Sequence, residues 1–122
     1  MLKALLIDAQ NEIIREIEIE NGFQHTAKAI GGECTTIELV SIARNEDSLY
    51  VDEDGLVHVV PNETKGFHYT TEGGTLFTIV GNGVMLGSNA EGESVDVKMD
   101  AVELAERVVW MDAALTTEYA FN

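Results

Sequence analysis

A chain of 122 residues, 45% of them hydrophobic, is sized for one domain, residues 1–122, built around a single core. Its 22 acidic against 7 basic side chains give a formal charge of −15. A surface this negative gains nothing by neutralising phosphates, so direct nucleic-acid binding and anionic membrane surfaces are excluded as first readings. Cationic partners suit it: a basic protein face or a metal ion; an acidic, lysine-poor surface also suits concentrated salt.

Cys34 is the only cysteine, so no internal disulfide forms and nothing points to secretion. The first apolar run ends at Asp8, too short for a signal-peptide core, and no stretch approaches membrane-spanning length. A cytoplasmic protein is expected.

In chain order, Leu2 to Asp8 reads as a buried first strand and Ala9-Gln10-Asn11 as a turn. Glu12 to Glu20 is its hairpin partner, alternating over Glu16-Ile17-Glu18-Ile19-Glu20, with a bulge expected near Arg15 where Ile13-Ile14 breaks the alternation. Asn21 is the candidate N-cap of a short helix near residues 22–31, with Phe23, Ala27 and Ile30 on one stripe and Gly31-Gly32 as its stop. Thr35 to Ile42 reads as a strand. Ser48 to Val51 and Leu56 to Val60 read as a hairpin about Asp52-Glu53-Asp54-Gly55. Pro61 to Gly74 reads as a polar, ordered loop. Thr75 to Val80 and Val84 to Gly87 read as another hairpin about Gly81-Asn82-Gly83.

The last element is a helix over about residues 100–115. Asp100 and Glu103 match a capping box. Val102, Ala105, Val109 and Ala113 form a stripe widened by Leu104, Val108 and Met111, with Trp110 at its edge. That stripe serves either internal packing or a homodimer. The order predicts an α+β fold with a mostly antiparallel sheet built from hairpins and the C-terminal helix packed on it.

Few patterns carry chemistry. His25 and Cys34 flank the glycine pair, but a reactive thiolate needs positive surroundings that this chain lacks. His58 and His68 have neither i, i+4 spacing nor cysteine partners, so no metal site is expected. Asp52-Glu53-Asp54-Gly55 departs from a calcium loop, since its register would put Tyr50 first. The glycines at 81, 83 and 87 lack the Lys-Ser/Thr of a phosphate loop. No catalytic residue and no cofactor is expected; the protein reads as a non-enzyme. The carboxylates of Glu16, Glu18 and Glu20, about 6.8 Å apart along one strand face, could imitate a nucleic-acid backbone, or could simply be its solvated side.

The segments Lys3-Ala4-Leu5-Leu6-Ile7-Asp8, Leu49-Tyr50-Val51-Asp52-Glu53-Asp54-Gly55, Pro61-Asn62, Val80-Gly81-Asn82-Gly83-Val84-Met85-Leu86-Gly87 and Glu91-Gly92-Glu93 resemble a group of small phage and plasmid proteins, domain of unknown function 3846. The resemblance spans roughly residues 1 to 97 and leaves out the acidic tail of the second strand and the C-terminal helix. It implies a mobile-element accessory protein, acting in the host cytoplasm if phage-encoded, and it supplies no catalytic residues. Two functions follow as expectations. One is an acidic interaction protein that binds and inhibits a basic, nucleic-acid-binding host protein through Glu16, Glu18, Glu20, Asp52, Glu53 and Asp54. The other is an oligomeric module that binds a nucleotide or metabolite through a 61–70 loop bearing Asn62, Lys65, His68 and Tyr69.

Overall fold

The computed structural model describes residues 1–112 and 114. Its elements in chain order are β1 (Leu2–Asp8), β2 (Ile13–Ile19), α1 (Phe23–Ile30), β3 (Ile37–Ile42), β4 (Asp47–Asp52), β5 (Gly66–Thr70), β6 (Leu76–Val80), β7 (Gly83–Ser88), β8 (Ser94–Val95), α2 (Ala101–Ala105) and β9 (Val108–Trp110). Every strand pair is antiparallel. One sheet runs β2-β1-β7-β4-β3, with β8 attached to β7; the second runs β6-β5-β9. The α+β class expected from the element order is the class observed.

β1 is apolar on both faces because both are covered. Leu5 and Ile7 join Leu49, Met85, Phe67 and Tyr69 in the layer between the sheets. Ala4 and Leu6 face the other way, towards Ile19, Val84, Leu86 and Ile30 of α1. The large sheet therefore sits between two apolar clusters rather than on the single core expected. Gly83 permits the close approach of the sheets, since a Cβ there would lie 3.0 Å from Phe67 Cζ and 3.1 Å from Leu49 Cδ1.

Several expectations fail for identifiable reasons. β1 and β2 pair one to one from Leu2↔Ile19 to Asp8↔Ile13, so Arg15 is not bulged; the irregularity lies in β3, between Leu39 and Ser41. Gly22, not Asn21, caps α1, with no side-chain bond, and Phe23 is 75% exposed, off the buried stripe of Thr26, Ala27 and Ile30. Residues 53–58 form successive turns instead of a strand. Both edges of β4 are already taken, by β3 and β7, so no hairpin partner can pair there.

Gly81-Asn82-Gly83 is a crossing between sheets, not a hairpin turn. Asn82 donates to Ile30 O at 3.1 Å and accepts from Ala9 N–H at 2.9 Å, and β7 lies between β1 and β4. The polar 61–74 segment contains β5, where Phe67 and Tyr69 point inwards. The C-terminal helix stops at Ala105. Asp100 does cap it, accepting from Glu103 N–H at 2.8 Å. The β-branched Val108-Val109 then extends as β9 along the outer edge of β5, where Thr70 N–H donates to Arg107 O and Met111 N–H to Gly66 O. Trp110 meets Phe67 edge to face at 6.5 Å. Sheet pairing thus overrides a helical period, and the stripe offered for a homodimer does not form: Val102 and Val109 are exposed and only Leu104 is buried. Ala113 and the rest of that stripe's end lie outside the described residues.

Asp47, fully buried, holds the inter-sheet layer shut. Its carboxylate accepts from Lys98 N–H at 2.9 Å, Met99 N–H at 2.8 Å and Asn45 Nδ2 at 3.0 Å, which seats Val97 and Met99 in the core. In Asp47→Asn, one of these donors would face an amide NH2. The expected loss is about 1–3 kcal/mol, read as a lower urea midpoint at unchanged m-value.

Candidate functional site

The chain leaves β4 through a knot of carboxylate bonds. Asp54 N–H donates to Asp52 Oδ1 at 2.9 Å, and Thr36 Oγ1 meets Asp54 Oδ2 at 3.5 Å. His58 Nδ1 lies 2.7 Å from Asp52 Oδ2, with the two side chains 22% and 9% exposed. The hydrogen bond and charge of Asp52 hold the His58 pKa above 6.5, against a smaller opposing effect of desolvation and with further support from Glu33 and Asp54. These bonds turn the 53–58 segment over the end of the sheet.

The turns form one wall of a groove of about 870 Å³ between β3 and β6, the terminal strands of the two sheets. Leu39, Val40, Phe77 and Ile79 give it an apolar floor, and Leu56 and Val57 add exposed apolar surface. Glu38, Asp52, Glu53 and Asp54 supply its charge, and no basic side chain lines it among the described residues. The side chains of Glu38 and Glu53 make no hydrogen bond or ion pair among the described residues.

The six carboxylates expected to bind together are not together. β2 and β4 are separated by β1 and β7, three strand spacings or about 14 Å. Glu16 and Glu18 project from the exposed edge strand β2, with Glu18 opposite Lys3. Glu20 lies beyond the strand, 3.2 Å from His25, so the row of three is broken. Asp52, Glu53 and Asp54 belong to the groove.

The 61–70 residues diverge. Asn62 adopts φ 65 in a turn. His68 lies on β5 with its Nδ1 2.9 Å from Thr78 Oγ1, and Tyr69 is buried between the sheets, where desolvation pushes its phenol pKa up. Lys65 alone lines a cleft, of about 600 Å³, shared with His58, Asn82, Gly31 and Glu63. Cys34 donates to Thr36 O, and burial, with Asp52 and then Asp54 nearby, pushes its thiol up to about 11. It is a protonated thiol at neutral pH and carries no thiolate chemistry.

Sequence reasoning missed the His58–Asp52 pair and the role of Asn82. The six-residue spacing is no motif, and each partner is defined only by a tertiary turn. Among the described residues, no cluster of His, Cys, Asp or Glu is arranged to hold a metal, and no helix is long and apolar enough to cross a membrane.

Because the folded His58 pKa lies above its unfolded value of 6.5, its pairing stabilises the fold fully below pH 6.5. That contribution is lost as pH rises through the folded pKa. An NMR titration of the His58 ring is expected to give a midpoint above 6.5, moving back towards it in Asp52→Asn. A midpoint at or below 6.5 in the wild type would contradict the pairing.

Comparison with curated proteins and with solved structures finds no match. Residues 2–109 match a family model, a span that reaches past the 1–97 of the resemblance and takes in α2 and the start of β9. With most of its length matched, the chain belongs to the family described as domain of unknown function (DUF3846).

Proposed function

We propose that the protein is a non-enzymatic, acidic interaction protein that binds and inhibits a basic, nucleic-acid-binding host protein by occupying its cationic face, as an accessory factor of a phage or plasmid. The observation that carries this reading is the groove between β3 and β6, with four carboxylates over an apolar floor. Carboxylates at the rim steer a cationic partner and set its orientation, while the floor supplies contact area that salt does not screen. The net charge of −15 adds long-range attraction of the same sign. The groove, rather than the row on β2, then carries the contact.

The test is capture of a partner by the tagged protein at low and high salt. Wild type is expected to retain one basic protein at low salt, to release it at high salt, and to compete with DNA for it. The double variant Glu38→Gln, Glu53→Gln is expected to lose it, whereas Glu16→Gln, Glu18→Gln, Glu20→Gln keeps it. Retention by the groove variant with loss in the β2 variant would return the contact to the edge strand. Capture of no basic partner at either salt would refute the reading.

A second reading, a small-ligand module, rests on the cleft that joins Lys65 to the His58–Asp52 pair. Here Lys65 would meet an anionic group and His58 Nε2 a hydrogen-bonding edge of a nucleotide or metabolite. A nucleotide panel that raises the wild-type melting temperature but not that of Lys65→Ala is the expected result. A melting temperature unmoved by every compound removes this reading.

A further inference from the structure

A terminal strand exposes a row of unpaired amides and carbonyls, and proteins guard such edges with charge, bulges or brevity. Most edges here are guarded. β2 carries Arg15, Glu16 and Glu18; β3 carries Glu38 and the irregularity beside Val40; β9 has three residues and β8 two. β6 differs. Leu76-Phe77-Thr78-Ile79-Val80 has no charge and no proline, and pairs with β5 in unbroken register.

The hydrogen-bond pattern identifies which of its groups are free. Thr71 N–H donates to Thr75 O at 2.9 Å at one end of the β5–β6 ladder, and Gly81 N–H to Lys65 O at 2.8 Å at the other. Antiparallel pairs alternate between bonded and non-bonded, so Tyr69↔Phe77 and Phe67↔Ile79 are the bonded pairs. The backbone groups of Leu76, Thr78 and Val80 therefore point away from β5. None of them has a backbone partner among the described residues, but the Val80 carbonyl is covered by Gly55, where a Cβ would lie 3.0 Å from it, so the open groups are those of Leu76 and Thr78. This open row runs along the groove whose rim is Glu38, Asp52, Glu53 and Asp54.

Resting on the reading that this face binds a basic partner, we propose that the partner contributes an extended segment of alternating basic and apolar residues, which adds as a strand to the free edge of β6. Main-chain bonds to Leu76 and Thr78 give the segment its register. Its apolar side chains lie over Leu39 and Val40, and its long basic side chains reach the rim carboxylates. An edge strand alone would take any extended chain; the four carboxylates select a cationic one and reject an acidic one.

A short synthetic peptide of alternating lysine and valine tests the proposal on the intact protein. On adding it, amide exchange at Leu76 and Thr78 is expected to slow by about ten-fold or more, with Phe77 and Ile79, already bonded to β5, unchanged. Two versions N-methylated on alternate residues are expected to differ: one binds as the parent does, and the other loses binding because its methyl groups face β6. An alternating glutamate and valine peptide is expected not to bind. If both methylated versions bind equally, and Glu38→Gln, Glu53→Gln still abolishes binding, edge pairing is wrong and the basic-partner reading stands. If the wild type does not bind the lysine peptide at low salt, both fail. If the protein instead self-associates in sedimentation and Thr78→Pro abolishes that, a second copy is the occupant and the proposal is overturned.

Discussion

Asp47 is the constraint on which the inter-sheet layer depends. A carboxylate in that position is costly unless each oxygen is satisfied, and here three donors meet it. Two of them are consecutive backbone amides from a segment some fifty residues further on, so one side chain fixes where residues 97–99 lie against the start of β4. Val97 and Met99 enter the core on either side of that clamp, and α2 follows directly, placing Leu104 beneath the sheets. The clamp works with the bonds between this connection and β1, Val97 N–H to Lys3 O at 2.9 Å and Lys3 N–H to Asp96 Oδ1 at 2.9 Å, to hold it over the layer that Phe67 and Tyr69 fill.

A second polar side chain does comparable work at the other end of the molecule. Asn82 joins the end of β1 to the carbonyl that closes α1, while the chain around it passes from one sheet to the other. The terminal strands β3 and β6 of the two sheets meet in one groove. The groove's acidity comes from a third polar cluster, in which Asp52 takes both the Asp54 amide and the His58 ring. The carboxylates that face outwards there are positioned by carboxylates that face inwards.

Much of this was legible in the residues. Continuous apolar character from Ala4 to Ile7 marks a strand buried on both faces, and the Glu and Ile alternation marks β2 as an edge. Asp100 and Glu103 announce the start of α2. Two departures share a cause: the acidic turn after β4 and the glycine-rich turn after β6 suggest pairing between sequence neighbours, whereas the strands they leave pair elsewhere. Gly81-Asn82-Gly83 looks like a hairpin turn in isolation, and only the occupancy of both edges of β7 rules that out. The alternation of Phe67, His68, Tyr69 and Thr70 was visible, but polar flanks concealed it. Val108-Val109-Trp110 fits a helical stripe as well as a strand, and the open edge of β5 decides between them. The groove was legible only in its acidic half, because its apolar floor is assembled from β3 and β6, nearly forty residues apart.

The small sheet is completed out of order. Its hairpin, β5 with β6, is synthesised well before β9, which closes the far edge of β5 with residues near position 110. Until β9 docks, the hairpin presents both of its long edges at once, and among the described residues the outer edge of β6 stays open afterwards. The docking of β9 on β5 therefore decides which of the hairpin's two edges is left available, and removal of Val108–Trp110 would leave β5 and β6 equally exposed.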